Sequence, residues 1–144
     1  MTDPVHSDSE LVALLDATAA AVESALGDVT DWGLAGGGAH SGQHHSDIAA
    51  DAAALEVLCP AGVGVLSEES GLRDADREVV VVIDPVDGST NAAHGIPWYA
   101  VSLCAVDAQG PRAALVVNLA THERFEALRG GGALRNGAPI RPSD

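Results

Sequence analysis

The chain has 144 residues, enough for one domain that buries ~68% of the surface its unfolded form would expose. It is acidic, with 21 Asp and Glu against seven basic residues, all arginine, and a formal charge of −14. No basic stripe is available to displace counterions from a phosphate backbone, which excludes the usual nucleic-acid binders, and no apolar run reaches the ~20 residues of a membrane span.

Ser7 and Glu10 form an S-x-x-E capping box, followed by Leu11, Leu14, Leu15, Thr18, Val22 and Ala25 at helical spacing. A helix from about Asp8 to Leu26 follows, with Gly27 as its stop. Thr30 to Gly42 reads as a flexible linker around the triplet Gly36, Gly37 and Gly38. In GQHHSDIAADAAALEVLCP, Ser46 or Asp47 can cap an alanine-rich helix that ends before Pro60, with Ile48, Ala52, Leu55 and Cys59 on its buried face. His44 and His45 diverge on any regular backbone and lack further ligands at zinc spacing, so they read as surface or substrate-rim histidines.

Val63, Val65 and Leu66 suggest a short strand running into Glu68 and Glu69, with Gly71 turning the chain. Leu72 to Glu78 is a charged connector. Val79 to Ile83 is a β-branched run, a buried strand that the Asp84-Pro85 dipeptide should stop. Trp98 to Val106, Ala113 to Leu119 and Arg124 to Leu128 read as further strands, and Asn136-Gly137 signals a hairpin. Short connections between successive strands predict an antiparallel sheet with the two helices on one face, an α+β domain. Cys59 and Cys104 have no partner spacing and read as small buried apolar residues in a reducing compartment. The start, MTDPVHSDSE, lacks the basic and apolar regions of a secretory signal, so a cytoplasmic location is expected.

The densest chemistry lies in Ile83 to Asn91, IDPVDGSTN. Two carboxylates flank a proline, ahead of a glycine and two hydroxyls. Carboxylate oxygens are hard ligands suited to Mg²⁺, and backbone N–H groups after a glycine suit a phosphate. The alternative is a strand, a turn and a helix start whose Asp and Ser serve only turn chemistry.

The string resembles the D-P-[IL]-D-G-[ST]-x-N signature of the inositol monophosphatase family, Mg²⁺-dependent and lithium-sensitive phosphomonoesterases, with Val86 in the aliphatic slot. SEES at Ser67 to Ser70 is similar to that family's G-E-E-S, with Ser67 in place of glycine. Asp47 matches the acid of a T-x-x-D segment, with His44 in the threonine slot. The resemblance implies that 1–144 is the N-terminal α+β domain of the inositol monophosphatase fold, two helices on a mainly antiparallel sheet. It also implies a C-terminal α/β domain with a W-D-x-A-A motif, which these 144 residues do not contain. A partial chain, a half-protein needing a partner and a shortened homologue all fit.

By the same resemblance, Glu68, Asp84, the Val86 carbonyl and Asp87 would hold two or three Mg²⁺ ions. Ser89, hydrogen-bonded to Asp47, would orient the attacking water, and the N–H groups of Gly88 and Ser89 would hold phosphate. The expected substrate is a small phosphorylated metabolite. Association is expected through the face the second domain would cover, as a homodimer or with another chain. The competing reading is a catalytically incomplete metal- or phosphate-binding module.

Overall fold

The computed structural model describes residues 6–35 and 42–143. The glycine triplet therefore lies outside the described residues. Helix α1 (Asp8–Gly27) starts at the capping box: Ser7 Oγ accepts the Glu10 N–H at 3.2 Å, and Glu10 Oε2 accepts the Ser7 N–H at 2.6 Å. Two of the helix's orphan N-terminal donors are thereby satisfied. Its buried stripe is Leu11, Leu15, Thr18, Ala19, Val22 and Leu26.

Helix α2 (His45–Leu58) begins two or three residues earlier than a Ser46 or Asp47 cap would place it, because His44 is the N-cap and Asp47 sits at N3. Its buried face also differs from the expectation. Ser46, Asp47, Ala50, Asp51, Ala54 and Leu58 turn inward, whereas Ile48 is 43% exposed and Cys59 lies on the surface. Small alanines let α2 pack closely on α1, and the two inward aspartates find polar partners, the His44 N–H for Asp47 and the Ser67 hydroxyl for Asp51. These gains outweigh leaving one isoleucine half in water. A short 3₁₀ turn, Cys59–Ala61, follows.

Eight strands form one sheet: β1 (Gly64–Ser67), β2 (Gly71–Arg73), β3 (Val80–Asp87), β4 (Ala100–Asp107), β5 (Gly110–Asn118), β6 (Arg124–Leu128), β7 (Gly132–Arg135) and β8 (Ala138–Ile140). Their order is β2-β1-β3-β4-β5-β6-β7-β8. β1 and β3 run parallel, and the other neighbours pair antiparallel. The expected connector after Gly71 thus begins as an edge strand. Asn136 and Gly137 have φ of 48° and 81°, the two positive values that a tight primed hairpin turn needs.

Asp84-Pro85 does not end β3. Pairing runs on to Asp87 through a bulge, since Asp84 faces Ser102 and Asp87 faces Ala100. Pro85 has no N–H to offer the ladder and falls at this irregularity, where a missing donor costs least. Helix α3 (Ser89–Ala93) starts directly after Gly88.

The helices cover one face of the sheet, where Val81, Ile83, Val101, Leu103, Ala105, Ala113, Leu115 and Val117 form the core with Leu11, Val22 and Leu58. Along the other face the registers align Leu72, Leu66, Val82, Cys104, Ala114, Ala127, Ala133 and Ile140 in one apolar row across all eight strands. Leu66, Leu72, Val82 and Ile140 are exposed. Cys104 is only half-buried on this face, so neither cysteine is the buried apolar residue expected of it.

Candidate active site

A cleft of about 410 Å³ opens where α2, the β1–β2 turn and the β3 bulge meet. Gly42, Gln43, Asp47, Glu68, Glu69, Asp84, Val86, Asp87, Gly88 and Ser89 line it. All seven candidate residues read from the sequence, Asp47, Glu68, Asp84, Val86, Asp87, Gly88 and Ser89, thus border one space. Each reaches it for a local reason. Asp47 projects from the first turn of α2, and Glu68 follows the last residue of β1, where its N–H donates to the Ile83 carbonyl at 3.1 Å. The bulge in β3 brings Asp84 and Asp87 to the same cleft. Gly88 has φ +91°, and a Cβ there would lie 2.9 Å from the Trp98 carbonyl oxygen, so both backbone angle and space require glycine.

The electrostatics are those of crowded like charges. Partial burial pushes the Asp84 carboxyl up to about 7, reinforced by a hydrogen bond with Glu68 and by the charges of Glu68 and Asp87, and opposed by the Val86 N–H. Glu69 is also raised, first by desolvation, although Gln43 Nε2 donates to its Oε2 at 2.5 Å. Asp84 Oδ1 and Asp47 Oδ1 are buried without a hydrogen-bond partner. Among the described residues no three His, Cys, Asp or Glu side chains are gathered at metal-ligating spacing.

The expected Ser89–Asp47 hydrogen bond is not formed. Asp47 Oδ2 accepts the His44 N–H at 2.7 Å, and Oδ1 has no partner. His44 itself is buried beside Asp47 rather than on the surface, because the N-cap position turns it under the start of α2. His45 is half-exposed, with Nε2 3.6 Å from Asp31. Gln43 also lines the cleft, and no local pattern in the sequence marks it. Asp51 stands one helical turn after Asp47, a spacing in the sequence that already puts both acids on one face.

The fold and the cleft define an α+β domain with a carboxylate-lined site at the C-terminal ends of β1 and β3. The inositol monophosphatase family model matches residues 17–144, and the chain belongs to that family. It is 43% identical over 102 residues to the fructose-1,6-bisphosphatase/inositol-1-monophosphatase of Archaeoglobus fulgidus, covering 69% of this chain and 40% of that one. It is likewise 43% identical over 82 residues to the inositol-1-monophosphatase of Mesorhizobium japonicum, covering 56% and 30%. The solved structure of an extragenic suppressor from Pyrococcus furiosus superposes with a TM-score of 0.79 at 29% identity, over 94% of this chain and 56% of that one. The chain thus spans well under two thirds of the length of these relatives.

Proposed function

We propose that this chain is the metal- and phosphate-binding domain of an Mg²⁺-dependent phosphomonoesterase acting on a small phosphorylated metabolite. The observation that carries this reading is the convergence of Glu68, Asp84 and Asp87 in one cleft, with Asp84 raised to about 7. An all-oxygen, negatively charged donor set in which Asp84 Oδ1 is buried without a hydrogen-bond partner fits a hard divalent ion, and lacks the thiolate and imidazole that zinc prefers. Glu68, Asp84, the Val86 carbonyl and Asp87 would hold the ions, two or three in number. Once bound, such ions acidify water and neutralise charge on phosphoryl and leaving oxygens.

The chain's own groups do the rest. Gly88 and Ser89 offer backbone N–H groups to the phosphate at the turn into α3. The Ser89 hydroxyl, turning toward the unpartnered Asp47 Oδ1, donates to that carboxylate and accepts from the attacking water. Asp47 is the acceptor at the end of this short relay. Water adds to phosphorus as the ester P–O bond breaks, giving inorganic phosphate and an alcohol, so no phosphoserine forms.

Phosphate release from inositol 1-phosphate and from fructose 1,6-bisphosphate, with and without Mg²⁺, tests the proposal. We expect Mg²⁺-dependent turnover that lithium inhibits. A chain that releases no phosphate and takes up no divalent ion overturns it.

The exposed apolar row across the sheet favours a second reading, in which this domain works as a subunit, a homodimer or a partner of another chain, through that face. Turnover that appears only when the face is covered would support it. A cytoplasmic location accords with the two free thiols, and among the described residues no helix is long and apolar enough to cross a membrane.

A further inference from the structure

Behind the cleft, α2 and β1 are joined by a buried polar contact that the reaction scheme above leaves unused. Asp51, one turn after Asp47, is 7% exposed and accepts the Ser67 hydroxyl at 2.5 Å. Ser67, 3% exposed, is the last residue of β1. Its single proton is committed to Asp51, which leaves its lone pairs free. One of them accepts the Glu69 N–H at 3.1 Å.

We infer that Asp51 and Ser67 form a positioning pair that fixes the Glu68–Glu69 turn over the cleft. The inference rests on the proposed role of Glu68 as a metal ligand. The turn is pinned at two successive amides, Glu68 N–H on the Ile83 carbonyl and Glu69 N–H on Ser67 Oγ. The first pin belongs to the sheet and fixes only the strand's exit. The second depends on a side chain, and the orientation of that hydroxyl depends on Asp51. Because Asp47 and Asp51 share one face of α2, the helix sets two things together: the Asp47 carboxylate in the cleft and the base of the turn that carries Glu68.

Removing an outer-shell partner of a metal ligand weakens ion binding by 10–100-fold in typical cases. The probe is Mn²⁺, with binding followed by electron paramagnetic resonance on the 144-residue chain, and hydrogen exchange at the Glu69 amide read in parallel. Ser67→Ala and Asp51→Leu are expected to weaken Mn²⁺ roughly tenfold and to speed exchange at Glu69, with the double variant no worse than either single one. Asp51→Asn keeps an acceptor for the Ser67 hydroxyl and is expected to stay within about twofold of wild type. Ser67→Ala removes one oxygen only, so it reports even if Asp51→Leu fails to fold. Variants with a lowered melting temperature but unchanged Mn²⁺ affinity would overturn the inference. If the wild-type chain takes up no Mn²⁺, the functional reading falls instead. Exchange at Glu69 then decides the pair alone: faster exchange in Ser67→Ala keeps its positioning role, and unchanged exchange removes it.

Discussion

Replacing Asp84 by asparagine should stabilise the metal-free protein and abolish its response to Mg²⁺. Partial burial, the hydrogen bond to Glu68 and the charges of Glu68 and Asp87 raise the Asp84 carboxyl from 3.8 to about 7. Below pH ~4 the group is protonated in both folded and unfolded chains and costs nothing. Between pH ~4 and ~7 the folded chain still holds the proton while the unfolded chain has lost it, so stability declines as pH rises. Above about 7 the folded chain carries the charge and the full penalty.

At ~1.4 kcal/mol for each tenfold change in proton affinity, that displacement sets a ceiling of ~4 kcal/mol. Asp84 remains partly open to water, and screening reduces the figure to ~2 kcal/mol. Asparagine keeps the shape, carries no charge at any pH, and can donate to Glu68 as the protonated acid does. In EDTA at pH 8, Asp84→Asn should therefore be ~2 kcal/mol more stable than wild type, roughly 6 °C in melting temperature for a chain of this size. At pH 4 the difference should vanish. Added Mg²⁺ should stabilise wild type by ~2.7 kcal/mol at 100 times its dissociation constant, and the variant little. Thermal melts at pH 4 and 8, in EDTA and in Mg²⁺, provide the four cells of the test. Equal stability of the two proteins at pH 8 in EDTA would refute the electrostatic argument, and an equal Mg²⁺ response would refute the ligand assignment.

Gly88→Ala should cost ~1–3 kcal/mol, because φ is +91° and the new methyl group meets the Trp98 carbonyl oxygen; urea unfolding measures it. Ser7→Ala removes the acceptor for the Glu10 N–H and should cost ~1 kcal/mol, seen in the same unfolding assay. Leu103→Ala, in the middle of the helix-covered face, should cost ~2–5 kcal/mol, whereas Val82→Ala on the open face should cost much less. Val82→Asp should lower any self-association in sedimentation while leaving the circular dichroism spectrum unchanged, since the side chain points away from the core.

Much of this architecture can be read from local signals. The capping box at Ser7 and the Asn136-Gly137 turn each name their own conformation, because the chemistry that fixes the backbone lies within a few residues. The bulge at Pro85 was not legible. Proline announces a missing donor, and only the neighbouring strand β4 decides whether the ladder stops or skips a residue.

Helix α2 shows the deeper reason. Hydropathy places Ile48 and Leu55 inward and leaves the aspartates to water, yet the observed helix is turned so that Asp47 and Asp51 are buried. Burying a carboxylate is expensive unless partners await it. Here the partners lie elsewhere in the chain: the His44 N–H for Asp47 and the Ser67 hydroxyl for Asp51. The face that a polarity pattern assigns to solvent is the one that borders the cleft. Its burial becomes intelligible only with β1, the turn after it and α2 considered together.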